Sequence, residues 1–246
     1  MILFLDFDGV LHPDAAYLVR GRPELRGEGR LFMWAGYLVD ALASAQHVRI
    51  VLSTSWAREL RFARARDYLP ADLRPRVMGA TWHSGMATDD EHRPLGRDTW
   101  WDTSTRYQQI RRYADRAGLT DWIAVDDHPE GWADADLDKL VATDSSRGLS
   151  APSARVRLAA ALGNTAHAWA VADTMADLLT LPRVGRSETF ADLVRWVEWW
   201  EPSYMTAVTL EPAEVARLKA GRWWPPVVST KQISDMPPAI ARRRIP

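Results

Sequence analysis

The first dozen residues, Met1-Ile-Leu-Phe-Leu-Asp6-Phe-Asp8-Gly9-Val-Leu11-His12, constrain the fold more than any other stretch of the chain. An apolar run of strand length breaks at two aspartates spaced to point the same way, with a glycine directly behind them. This is the pattern of a buried strand that delivers chemistry at its carboxyl end. In an open α/β sheet the ligand crevice lies outside the carboxyl ends of the strands, which puts Asp6 and Asp8 where a site belongs. Taken by themselves, the two acids equally suit a simple strand-to-turn transition.

The rest of the chain supplies the partners such a strand needs. Pro13 to Arg30 is rich in glycine and arginine without a clean period, and predicts an irregular loop or short flap over the site. Leu31 to Ser44 predicts a helix whose apolar stripe includes Trp34, Leu38 and Leu42. Val48 to Leu52 follows as a second strand ending in Ser53-Thr54-Ser55-Trp56, which completes a β-α-β unit. A helix over Ala57 to Tyr68, a short strand over Arg76 to Thr81 and a long loop from Trp82 to Trp101 come next. His83 and His92 in that loop, with Asp89, Asp90 and Glu91, fit no compact ligand spacing and read as solvated residues.

Ser104 to Ala117 predicts a helix capped by Thr103 or Ser104 and ended by Gly118. Trp122 to Val125 is a further strand that again ends in acids, Asp126-Asp127, and Lys139 to Ala142 is the last. Apolar strands ending in polar residues and separated by helices make a doubly wound parallel α/β sheet the expected architecture. A helix over Ala154 to Leu162 is expected to close this domain, giving boundaries of 1–162 and 163–246.

The second region is expected to be mainly helical and rich in tryptophan. Helices are predicted around Ala170–Leu179 and Thr189–Trp200, a strand at Ala207–Leu210, and a helix from Pro212 to Gly221. Trp169, Trp196, Trp199, Trp200, Trp223 and Trp224 crowd this region; at helical spacing they read as core more readily than as stacking platforms for bases. The tail from Pro237 to Arg244 is expected to be mobile.

Composition narrows the function class. The net charge is −1, so no bulk electrostatic footprint for nucleic acid or an anionic membrane is present, and any such contact must be local. Lysine occurs only at Lys139, Lys219 and Lys231, leaving arginine to carry the positive charge. There is no cysteine, which excludes disulfides, thiolate catalysis and thiolate zinc sites. No leader precedes the first strand and no apolar run is long enough to cross a bilayer, so a cytoplasmic protein without membrane contact is expected.

Asp-Phe-Asp-Gly-Val-Leu at residues 6–11 resembles the first motif of the haloacid dehalogenase-like (HAD) phosphohydrolases. The resemblance implies that Asp6 is a nucleophile and Asp8 a general acid and base. Ser53 resembles the second motif, a hydroxyl that hydrogen-bonds a phosphoryl oxygen. The third motif supplies a cation from the helix before the fourth-motif strand; Arg106 is the choice here, with Arg111 and Arg112 as alternatives. The adjacent Asp126 and Asp127 resemble the fourth motif, which with Asp6 and the backbone carbonyl of Asp8 implies a Mg²⁺ site of hard oxygen donors. Asp127 is the expected direct ligand, with Asp126 binding through water or holding the cation.

More narrowly, residues 1 to about 149 are similar to the small HAD domains of RNA-repair proteins. The implied activity is Mg²⁺-dependent phosphate ester hydrolysis through an aspartyl-phosphate. The intervals between motifs hold a flap but no obvious folded cap, so an open site and a substrate bearing a terminal phosphate, including nucleic-acid ends, are expected. Two alternatives stand beside this reading. The fold could be a binding module whose chemistry is vestigial, or the Trp-rich region, through Trp196, Trp199 or Trp223, could cap the site and favour a small metabolite or nucleotide.

Overall fold

The computed structural model describes residues 1–86, 99–179, 181, 183–185 and 189–208. The chain divides into two compact units, Met1–Ser150 and Ala151–Pro246.

The first unit is built on a five-stranded parallel sheet. Strand β1 (Ile2–Leu5) leads into a two-stranded antiparallel hairpin, β2 (Ala16–Val19) and β3 (Arg22–Leu25), and then helix α1 (Ala35–Leu42). Strand β4 (Arg49–Leu52) is followed by the short helices α2 (Trp56–Glu59) and α3 (Phe62–Asp67) and by β5 (Val77–Ala80). Helices α4 (Trp100–Thr103) and α5 (Arg106–Arg116) precede β6 (Trp122–Asp126) and β7 (Leu140–Ala142). The strand order is β5-β4-β1-β6-β7. The chain therefore runs outward from β1 to β5, crosses back, and continues on the other side of β1. That reversal makes the gap between the carboxyl ends of β1 and β6 the topological switch point, the natural place for a ligand.

Each element has a local cause. The central strands are buried on both faces and read as unbroken apolar runs. Phe4, Val51, Trp122 and Ala124 pack on one face against Ile110 and Ala114 of α5. Phe4 meets Trp122 and Tyr113 edge to face, with ring centroids at 5.7 and 5.5 Å. Helix α5 starts with a capping box, in which Thr105 Oγ1 accepts from the Gln108 amide and the Gln108 side chain accepts from the Thr105 amide. The cap is thus Thr105 rather than Thr103 or Ser104.

Three expectations need correction in this unit. The stretch expected to be an irregular loop or short flap contains the ordered β2–β3 hairpin, turned at Arg20 and Gly21, whose φ angles of 49° and 77° suit a tight turn. Arg64 donates to the Gly21 carbonyl at 2.7 Å and ties this turn to α3. The single helix expected over Ala57 to Tyr68 is broken, because Arg61 takes a φ of 70° between α2 and α3. In the long loop, α4 ends what was expected to be unstructured to Trp101, while Asp89, Asp90, Glu91 and His92 lie outside the described residues.

The described part of the second unit is helical: α6 (Pro152–Ala161), α7 (Thr165–Leu179) and α8 (Phe190–Val208). Val156 and Ala159 of α6 share one apolar core with Met175, Leu193, Trp196 and Trp200. The Ser153 amide at the start of α6 donates to the buried carboxylate of Glu201 on α8 at 2.8 Å. Helix α6 therefore packs with the C-terminal helices, and the division falls before it rather than at 162/163. Trp196 and Trp200 are core residues, and Trp169 and Trp199 pack against them partly buried. Ala207 and Val208 end α8 instead of opening a strand. The rest of that stretch, the Pro212–Gly221 helix, Trp223, Trp224 and the tail lie outside the described residues. No helix among the described residues is long and apolar enough to cross a membrane.

Candidate active site

Register places the first acid between the next two strand ends. Leu5 of β1 pairs with Leu52 of β4 and Val125 of β6, so Asp6 follows directly between Ser53 and Asp126. The Asp6 amide donates to the Val125 carbonyl at 3.1 Å, and the Ser53 amide donates to the Leu5 carbonyl at 2.8 Å, which carries the sheet pairing up to the site itself. Asp6, Ser53 and Asp126 are all buried.

Helix α5 brings the cation. Arg106, its first residue, donates from Nη2 to Asp6 Oδ2 at 3.0 Å, and its Nε lies 3.1 Å from Asp126 Oδ2. The second contact is an ion pair in distance but is not aligned as a hydrogen bond, so both of its atoms are buried without a hydrogen-bond partner. The two alternatives are engaged elsewhere: Arg111 pairs with Asp115 and Asp136, and Arg112 lies over the ring of Trp100.

Burial dominates the electrostatics. It pushes the Asp6 carboxyl well above the usual carboxylate range; Arg106 pulls it back, and the charges of Asp126 and Asp8 push it further up. Burial works against the charge of Arg106, but Asp6, Asp126 and Asp127 outweigh it and hold the guanidinium above its ordinary value. Asp127 is also raised by burial, against the opposing pull of His128.

Asp6, Asp126, Asp127 and His128 each offer a ligand atom, and these atoms lie within 4.8 Å of one another. His128 carries no signal of its own in the sequence beyond following the double acid. Its Nδ1 is 2.7 Å from Asp127 Oδ1 and 3.6 Å from Asp126 Oδ1, and its amide donates to Asp126 Oδ1 at 3.0 Å. The carboxylate of Asp126 beside the ring, opposed by burial and reinforced by the charges of Asp127 and Asp6, raises the imidazole to about 9.

Gly9 allows this cluster to close. A Cβ at residue 9 would sit 2.1 Å from Asp127 Oδ2, and the φ of 65° is in the left-handed region. Only a residue without a side chain lets the β1 loop pass against the second pair of acids.

The Asp8 carboxylate is not among these grouped ligand atoms and has partners of its own. Trp56 Nε1 donates to its Oδ2 at 2.8 Å, and His12 Nε2 lies 3.0 Å from its Oδ1. Neither partner was assigned a role from sequence, although both stand within the quoted motif stretches. A cavity of about 100 Å³ opens beside Asp8 between the hairpin and α2, lined by Tyr17, Leu18, Pro23, Trp56 and Leu60 among others.

Residues 2–154 match the family model described as the HAD domain in Swiss Army Knife RNA repair proteins. The chain belongs to this family. No curated protein and no solved structure matches it. Membership makes the first unit a HAD-type hydrolase domain in general terms. The match ends at residue 154, within the first turn of α6.

Proposed function

We propose that this HAD domain hydrolyses phosphate monoesters through an aspartyl-phosphate on Asp6. The observation that carries the reading is the placement of Asp6: a carboxylate at the switch point, 3.0 Å from Arg106 and beside a buried Ser53 hydroxyl that has no hydrogen-bond partner. Buried hydroxyls are normally satisfied, and an incoming phosphoryl oxygen is the acceptor that Ser53 lacks. The same feature argues against a purely structural cluster, in which neighbouring polar atoms would satisfy one another.

The residues fit a divalent cation. The donors are mainly hard carboxylate oxygens, Asp126 Oδ2 is buried without a hydrogen bond, and burial raises both Asp6 and Asp127. Asp6 and Asp127, with Asp126 and the Asp8 carbonyl in support, would hold Mg²⁺. When bound, Mg²⁺ supplies positive charge to the carboxylates and the phosphoryl oxygens.

The protein's own residues do the rest. Asp6 attacks phosphorus, forming an O–P bond as the ester P–O bond breaks, and Asp8 gives its proton to the leaving oxygen. Asp8 then takes a proton from water as the water oxygen attacks phosphorus, and the Asp6–phosphorus bond breaks to release phosphate. Arg106 and Ser53 hold the equatorial oxygens through both steps.

We place the substrate among nucleic-acid ends. The family is named for RNA-repair proteins, and the described elements that interrupt the sheet-and-helix alternation between β1 and α5 are small, the β2–β3 hairpin being the chief one. Among the described residues of the first unit, elements this small leave room at the strand ends for the end of a polymer. Turnover of an aryl phosphate by the full chain, with Mg²⁺ and after chelation, tests the chemistry. Mg²⁺-dependent release of phosphate is expected, and a protein inert under both conditions would leave the vestigial binding module as the better reading.

A further inference from the structure

We infer that His12 and Trp56 are positioning residues that lock the Asp8 carboxylate in one orientation, and that the strained backbone of Phe32 fixes the tautomer of His12 that this requires. The inference rests on the reading of Asp8 as the general acid and base.

A proton-transfer group works only when its oxygen is aligned with the atom it serves, and a carboxylate just beyond a strand end can rotate. Asp8 is held from two sides. The Trp56 indole N–H, which can only donate, reaches Oδ2 at 2.8 Å from the start of α2. His12, four residues further along the same loop, reaches Oδ1 at 3.0 Å. Each oxygen then carries one fixed hydrogen bond and keeps a lone pair for the reacting proton.

His12 could be a core histidine that happens to lie near an acid, and its surroundings argue otherwise. The ring is completely buried, with the rings of Phe32 and Trp56 at centroid distances of 5.1 and 5.7 Å. Phe7 closes the same box against Phe32 and Trp56, at 5.0 and 5.6 Å. The Phe32 amide faces the other ring nitrogen, Nδ1, over a long 3.4 Å. An amide can only donate, so Nδ1 accepts and the ring proton sits on Nε2, facing Asp8.

Phe32 has a φ of 59°, a strained conformation that a bulky residue rarely takes. A phenylalanine ring can fill an apolar box from an unstrained backbone. The left-handed backbone is what turns the amide toward His12. Phe32 to His12 to Asp8, with Trp56 closing the far side, is thus one chain of fixed donors ending on the acid.

The test uses the full chain with Mg²⁺ and two aryl phosphates of similar size, p-nitrophenyl phosphate and phenyl phosphate. Nitrophenolate leaves without a proton, whereas the phenol of phenyl phosphate benefits from one. Trp56→Phe keeps a ring in the box and removes the donor. His12→Asn is too short to reach Asp8, and His12→Gln offers an amide N–H near the position of Nε2.

Trp56→Phe and His12→Asn are expected to lower kcat for phenyl phosphate by on the order of ten- to a hundredfold, with KM unchanged. With p-nitrophenyl phosphate the first turnover should slow less than about threefold, because no proton is needed at that step. Later turnovers should stall, since the misaligned Asp8 no longer activates water, and rapid quench should show a nitrophenol burst with phosphoenzyme accumulating. His12→Gln should recover part of the loss. A defect of folding would lower both substrates and both steps together.

Equal losses in first-turnover rate on the two substrates, absence of the nitrophenol burst, or unchanged kinetics would overturn the inference. If His12→Asn does not fold, Trp56→Phe decides it alone. Asp8→Asn separates the two levels: if it lacks the leaving-group signature, the general-acid reading fails and the positioning inference with it. If Asp8→Asn shows the signature and the His12 and Trp56 variants do not, only the positioning inference fails.

Discussion

Arg106 Nη2 donates to Asp6 Oδ2 at 3.0 Å, the carboxylate buried and the guanidinium side chain 14% exposed. The pairing opposes the burial that drives this carboxyl toward its neutral form, and among the arginines of α5 it is the first residue that makes it.

Asp6→Asn is nearly isosteric and removes the nucleophile while leaving an acceptor for Arg106. Turnover is expected to fall by more than about a hundredfold, with no phosphoenzyme trapped by acid quench and an unchanged circular dichroism spectrum. Retained turnover above a few per cent would point to another nucleophile.

Metal dependence should distinguish the two adjacent acids. Asp126 is faced by Arg106 and accepts from the His128 amide, whereas Asp127 is paired through the exposed His128 ring. Asp127→Ala is therefore expected to weaken Mg²⁺ binding, measured by calorimetry, more than Asp126→Ala. The reverse order would exchange their roles.

The acid limb of stability should report Asp136, which lies away from the site. Lys139 holds its carboxyl below the usual range through a hydrogen bond, helped against burial by Tyr107 and by the charges of Lys139 and Arg111. A carboxyl lowered in the folded state stabilises the protein above its unfolded value of 3.8, and this contribution is lost as pH falls through the lower folded value. Asp136→Asn should be less stable than the parent at pH 7, and the gap should close below about pH 4 in urea titrations. A gap independent of pH would assign the loss to packing.

How far the site could be foreseen follows from which signals are local. Strands β1, β4 and β6 announce themselves as apolar runs ending at polar residues, and the same ends carry Asp6, Ser53 and Asp126. The hairpin is hard to read because its strands are four residues each and β3, Arg-Pro-Glu-Leu, carries a proline and two charges; the Arg20-Gly21 turn is the available clue. Nothing in the composition of residues 57–68 betrays the break at Arg61, whose backbone is set by its surroundings. Val208 and Thr209 favour a strand by propensity, but Tyr204 and Ala207 pack in the helical core and carry Val208 into α8 with them. His128 and His12 become visible as site residues only when the sheet sets them beside Asp127 and Asp8.

Substrate size should show in the salt dependence. Oligonucleotides bearing a terminal phosphate are expected to be better substrates than the matching mononucleotides, with the advantage shrinking as salt rises. The exposed Arg20, Arg22 and Arg61 are the candidates for backbone contacts, whereas Arg58 is ion-paired with Asp102. Triple replacement of the first three by glutamine should remove the oligomer preference and spare aryl phosphate turnover. Faster hydrolysis of mononucleotides at every salt concentration would favour the small-substrate alternative.

The closure at Gly9 has a kinetic meaning. Its carbonyl accepts from Thr143 Oγ1 at 2.8 Å across 134 residues of sequence, on the same loop that seats Asp127 where a side chain would stand. Closing a loop of that length is entropically slow, and it cannot precede the docking of β6 beside β1. Any state in which only the β1–β4 half of the sheet has formed would hold Asp6 without Arg106 or Asp126. Refolding from urea should therefore recover secondary structure first and catalytic competence last, which makes activity a clock for completion of the whole domain.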